Sequence, residues 1–223
     1  ADALVLADPC NERVVVNARA SVTNDIATDL TNKQNSRDQA AAFSAGDVHF
    51  YYVYNADCAS VTSRSSAKGP ETSGPELPVC ETHWAYSHSL YWDANCLRRH
   101  TVRGHTVYFD CTDSTRVLNA GAATCETRVS LVTVVPAIAT KIHVLARVNT
   151  VAGTTAGDEA LIGHRLNCIA WTLSPDGAAN FNNGAMVTLP NVNQELYYRI
   201  KTTGTAPTLT VHIVGFDVPS GDA

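Results

Sequence analysis

Eight histidines, seven cysteines and 21 acidic residues give this 223-residue chain the raw material for metal, thiol or acid–base chemistry. Spacing works against each of them. His83 with His88 and His100 with His105 stand five positions apart, which on an extended strand puts the two members of a pair on opposite faces, too far apart to share a metal. The cysteines (Cys10, Cys58, Cys80, Cys96, Cys111, Cys125 and Cys168) form no C-x-x-C, so structural zinc and thioredoxin-like redox chemistry lack their ligand spacing. Their odd number leaves at least one without a partner inside the chain. Two states stay open for the rest: buried thiols, or bridges formed late among Cys58, Cys80, Cys96, Cys111 and Cys125, where loops are long. Asp110 with Asp113, or Asp158 with Glu159, would serve as a glycosidase pair only if folding brought carboxylates to within about 5–10 Å. The nucleophile elbow, the zincin helix, the phosphate-binding loop and the dinucleotide fingerprint are all missing. The expectation is a protein without catalytic residues, cofactor or metal.

Exposed aromatic residues are better candidates for function, because Tyr and Trp offer large, rigid contact area. Strict alternation along residues 81–92 (ETHWAYSHSLYW) places Trp84, Tyr86, His88, Leu90 and Trp92 on one face and His83, Ala85, Ser87, Ser89 and Tyr91 on the other. With the first set inward, His83 and Tyr91 point out. Tyr51 is expected outward on its own strand. Tyr51, His83 and Tyr91 are therefore the candidate interface or ligand contacts.

The strand that must position them is residues 47–54, DVHFYYVY, with Val48, Phe50, Tyr52 and Tyr54 on one face and His49, Tyr51 and Val53 on the other. Both faces carry bulk, which predicts a central strand covered on both sides. Residues 13–22 alternate as a half-buried strand, whereas residues 23–44 form a polar excursion with one candidate helical turn at 36–43. The density of Pro and Gly in residues 58–78 predicts a surface loop. Residues 106–110 return as a partner for the aromatic strand, with Val107 and Phe109 inward after a turn at Gly104. Further strands are predicted at 128–135 and 141–148, joined by a short turn at Pro136, and at 159–164, 168–173, 185–189, 195–201 and 208–216. Residues 174–177 and 182–184 carry turn signals. Short strands with regular turn punctuation describe an all-β fold, an antiparallel jelly-roll-like sandwich. Two β domains in tandem are expected, residues 1–127 with long loops and residues 128–223.

Composition narrows the partners. Only 17% of residues are charged against 45% hydrophobic, compared with about 25% charged in typical globular domains; Thr, Ser, Asn and Gly fill the gap and favour strands over solvated helices. A net charge of −5 and no basic run beyond Arg98-Arg99-His100 argue against nucleic acid. No apolar stretch approaches the roughly 20 residues of a membrane span. The first residues carry no signal-peptide pattern, so synthesis in a reducing cytoplasm is expected.

From residue 46 to 109 the order of features resembles a β-rich segment of tailed-bacteriophage virion proteins, fibre and tail-associated proteins above all. The words are FYYVY at 50–54, a loop with Ser60, Ser63, Ser65 and Ser66, GPELP at 74–78, an aromatic strand ending in Tyr91-Trp92-Asp93, and Gly104-x-x-Val107-Tyr108. VSLVTVVPAIA at 129–139 is similar to the family's continuation, and Tyr197 to Ile200 with Val211 to Phe216 resemble its closing hairpin. Val79-Cys80 stands where that family tends to have Gly-Tyr. The resemblance implies a non-enzymatic structural protein of the virion, synthesised in the host cytoplasm and mounted on the tail. It would be a homotrimer contacting other virion proteins or a host surface glycan. A head-fibre or capsid-decoration protein is the nearest alternative, and a secreted carbohydrate-binding or adhesion module with disulfides the next.

Overall fold

The computed structural model describes residues 4–7, 13–16, 24–29, 36–55, 60–77, 81–94, 96–110, 115–150, 157–174 and 182–219. They are all-β, mostly antiparallel, with no α-helix among the described residues. The chain divides into two units, residues 1–97 with 219–223 and residues 98–218. The division falls at Leu97/Arg98 rather than at the predicted 127/128, because the strands after residue 98 pair into the sheets of the C-terminal half.

The first unit is one seven-stranded sheet. Its strands are β1 (Leu4–Ala7), β2 (Arg13–Val16), β3 (Asp25–Asp29), β4 (Ser36–Arg37), β5 (Gly46–Asn55), β6 (Ser60–Ser66) and β7 (His83–Trp92), in the order β2-β1-β7-β5-β6-β4-β3. β5 is its centre, as its two bulky faces predict. Pairing is antiparallel except at one edge, where β4 runs parallel to both β3 and β6. The helical turn expected at 36–43 is absent, since Ser36 and Arg37 are drawn into the sheet beside Arg64 and Ser65. The larger correction is β6. Residues 60–66 are not surface loop but an interior strand, and Ser63, Arg64, Ser65 and Ser66 are all buried. The Pro and Gly that suggested a loop all lie beyond it, from Gly69 onward.

The second unit is sandwich-like. Its strands are β8 (His100–Arg103), β9 (Thr106–Phe109), β10 (Arg116–Gly121), β11 (Thr127–Ser130), β12 (Lys141–Asn149), β13 (Glu159–Arg165), β14 (Cys168–Leu173), β15 (Asn182–Pro190), β16 (Glu195–Lys201) and β17 (Thr208–Asp217). One sheet runs β15-β12-β17-β9-β8, with β10 also on β17, and the other β11-β16-β13-β14. Inward residues alternate: Ile142, Val144, Ala146 and Val148 on β12 are fully buried, as are Leu209, Val211 and Ile213 on β17 and Leu196 on β16. Four expectations fail here. β9 pairs with β8 and β17, not with the aromatic strand. Residues 182–184 continue β15 against β12 instead of turning, because nine consecutive cross-strand pairs outweigh a local turn preference. β16 and β17 belong to different sheets, so no closing hairpin forms. The strand expected at 128–135 stops at Ser130; the next residues turn back, with the N–H groups of Val134 and Val135 both donating to the Leu131 carbonyl.

Candidate contact surface

The register between β5 and β7 decides which aromatic residues share a face. His88 lies opposite Phe50, but Tyr86 lies opposite Tyr51, so Ser87 is an extra residue and β7 carries a bulge. One inserted residue reverses the alternation beyond it. His83, Ala85, His88, Leu90 and Trp92 therefore share a face with Val48, Phe50, Tyr52 and Tyr54, while Trp84, Tyr86, Ser89 and Tyr91 share the other with His49, Tyr51 and Val53. His83 and Tyr91, expected side by side, are on opposite faces. His83 and His88, expected on opposite faces, are on one.

The Tyr51 face is closed within its own unit. Tyr51 keeps 1% of its exposure and packs edge-on against Trp84 at 5.3 Å and Tyr86 at 5.8 Å. Its hydroxyl donates to the Lys68 carbonyl at 2.6 Å, and the Glu76 N–H donates to Asp38 Oδ2 at 2.9 Å. These bonds strap residues 67–77 over the rings. Gly74, at φ +66°, lies against the Trp84 indole so closely that a Cβ would come within 2.6 Å of it; only glycine allows both that backbone and that approach. Tyr51 is thus excluded as an outward contact. Burial pushes the hydroxyls of Tyr51 and Tyr86 well above the usual tyrosine range.

Beneath the same strap the side chains are polar. Arg64 is fully buried, with Glu81 3.6 Å from its Nε, and its Nη1 donates to Ser36 Oγ and the Arg37 carbonyl. Thr62 donates to the second oxygen of Glu81 at 2.8 Å. His49 Nδ1 lies 2.6 Å from Ser89 Oγ, and Tyr86 Oη 2.7 Å from the same hydroxyl. A serine within reach of an imidazole is the beginning of a nucleophile–base pair. Ser89, however, has no exposed surface and His49 only 6%. No substrate atom can reach that hydroxyl, and the pair ties β5 to β7. Burial holds the His49 imidazole below its ordinary pKa, outweighing the nearby Asp47 and Glu71 carboxylates.

The Phe50 face carries a continuous set of half-buried rings, while on the opposite face Trp84 and Tyr91 are half-buried too. Phe50 and His88 stack with centroids 4.7 Å apart and planes 9° apart, and Tyr54 meets His83 at 6.3 Å. Phe50, Tyr52, Tyr54, His83 and His88 are all half-buried, whereas Val48 and Leu90 beside them are sealed. This is a contact surface of rings, not a pocket. Alternation alone finds His83 but sets it on one face with Tyr91, and it gives no sign that Phe50, Tyr52 and Tyr54 stay half-exposed.

No family model matches the chain, and no curated protein matches it.

In the second unit His143 Nε2 lies 3.0 Å from Asp217 Oδ1, which also accepts from Thr106 at 2.7 Å, while His143 Nδ1 lies 3.0 Å from Thr188 Oγ1. Tyr108 stacks on His143 across Gly215, which lies between them in the sheet. Burial alone would raise the Asp217 carboxyl; the hydrogen bonds from His143 and Thr106, with the imidazoles of His143 and His105, outweigh it and hold the carboxyl below its usual range. These contacts join β9, β12, β15 and β17. Two of the carboxylates singled out earlier are also tied up: Asp158 is buried and accepts the Thr203 N–H, and Glu159 pairs with Lys201, whereas Asp110 is exposed. Asp113 and four of the cysteines, Cys10, Cys58, Cys80 and Cys111, lie outside the described residues. Cys125 and Cys168 are free thiols, so Cys125 is not in a bridge. Among the described residues no group of three metal-binding side chains converges, and no helix is long and apolar enough to cross a membrane.

Proposed function

We propose that this chain is a structural, non-enzymatic β protein of a bacteriophage virion, fibre- or tail-associated, that works by contact and self-association. The observation that carries this reading is the use made of the reactive side chains. Ser89, His49, Glu81, Arg64, Asp217 and His143 are each spent on joining strands, while the Phe50 ring face and the strand edges offer contact surface. Contact surfaces on stiff sheets suit a particle component. The feature order between residues 46 and 109 supports the phage assignment, and fibres of that family would make the assembly a trimer. A place on the capsid as a decoration or head-fibre protein is served by the same surfaces.

Antibody-gold labelling of virions from a lysate tests the reading. Label at one regular place, tail or head, is the expected result; particles without label would remove the virion assignment. An adhesion module that binds glycan is favoured by one observation, the 44% exposed Tyr108 ring stacked on His143. A glycan array positive for unassembled protein, and lost in Tyr108→Ala, would favour it over the virion role.

A further inference from the structure

Sheet edges expose unpaired backbone N–H and C=O groups, and proteins commonly blunt them with charged side chains, bulges or brevity. Among the described residues, the edges of the second unit follow the rule with two exceptions. β8 carries Arg103, β10 carries Arg116 and β11 carries Arg128. β14 (CIAWTL) and β15 (NNGAMVTLP) carry no charge at all. They end the two sheets of the second unit and lie next to each other. β15 is also long, its nine pairs with β12 running without a register shift, and β12 is the only strand it pairs with among the described residues. Met186 at its centre is 68% exposed, the most exposed large apolar side chain described, and Trp171 on β14 keeps 44% exposure although its cross-strand neighbour Ile162 has none.

We infer that β15 is an assembly edge, on which a second copy of this chain adds its own β15 antiparallel about a two-fold axis near Met186. The inference rests on the self-association part of the proposed function, and it names the surface. A copy of the same chain is the occupant because an antiparallel strand is complementary to itself. Each copy also bears a net charge of −5, and a charge-free edge is where two such copies meet with least repulsion. Pairing there continues the five-strand path through both subunits and brings the two Met186 side chains together at the axis. Such a contact generates twos, which sets it apart from a fibre three-fold.

Sedimentation equilibrium of the full chain, with amide hydrogen exchange at high and low concentration, tests this. The wild type is expected to form dimers, with those amides of residues 184–189 that point away from β12 protected only at high concentration. Met186→Lys should weaken association by roughly tenfold or more by setting two ammonium groups face to face, and Met186→Leu should leave it unchanged. Val132→Lys, which removes another exposed apolar side chain, should behave as wild type. A monomer at all concentrations, or an oligomer indifferent to Met186→Lys, would overturn the inference. A monomeric chain found on labelled virions would sink the edge and spare the virion role; a dimer never found on virions would do the reverse.

Discussion

The two units are stabilised by opposite means. In the second, the inward positions of β12, β16 and β17 are Val, Ile, Leu and Ala, and the sheets close on an apolar layer. In the first, the centre of the sheet holds Arg64, Glu81, Thr62, Ser36, Ser65, Ser66, Ser89 and His49, all buried, with aromatic rings over them. An apolar layer loses its stabilisation in proportion to the area removed, and tolerates exchange of one hydrocarbon for another. A polar layer depends on each partner being present, because a charge left alone in the interior costs far more than the pair contributes. The first unit should therefore be the more specific in geometry and the easier to break.

The largest effect is expected at Arg64. Arg64→Ala leaves the Glu81 carboxylate buried without its cation and should cost about 3–5 kcal/mol, read as loss of hydrogen-exchange protection in β5, β6 and β7. The double variant Arg64→Met/Glu81→Leu should recover most of it; failure to recover would mean that Arg64 acts through its packing and its hydrogen bonds to Ser36 and Arg37 rather than through Glu81. Next, Ile142→Ala in β12 should cost about 2–5 kcal/mol by urea unfolding, whereas Ile142→Val should cost only about 0.5–1.5 kcal/mol. That graded response is the mark of the apolar unit.

Acid should separate the units as well. His49 is held neutral by burial, so the unfolded chain takes up its proton first. The stability that depends on neutral His49 is complete above pH 6.5 and is lost as pH falls from there toward the lowered folded value. Asp217 works lower: its contribution is complete above pH 3.8 and is lost as pH falls through the depressed folded value. Exchange measured against pH should show the first unit loosening at mildly acid pH while the second holds. His49→Gln should flatten the first transition and Asp217→Asn the second. Tyr51→Phe is the smallest change, about 1 kcal/mol for the lost hydrogen bond to Lys68, seen as faster proteolysis within residues 67–77.

The same contrast explains what could be read from the chain. β12, β16 and β17 are visible because their inward residues are apolar and the period of two is plain. β6 is invisible to that method: its inward side chains are Thr62, Arg64 and Ser66, which look solvated until Glu81, Ser36 and Arg37 are brought to them from distant positions. The bulge at Ser87 leaves no trace in composition, yet that one residue moves His83 across the sheet and puts Tyr91 behind it. The unit boundary depended on β8 and β9 joining β17, more than a hundred residues away, a separation at which local pattern is silent. Tyr51 was correctly placed on the central strand and wrongly turned outward, because the strap over it is built from the Gly- and Pro-rich segment that local reading treats as free loop.

The central claim is that these side chains hold strands together so that the molecule can serve as a part of a particle. Quantitative mass spectrometry across a density gradient of phage lysate tests it most directly. The account predicts that peptides of this chain co-sediment with infectious particles at a constant ratio to the major capsid protein. Recovery of the chain only in the soluble fractions at the top of the gradient would contradict it.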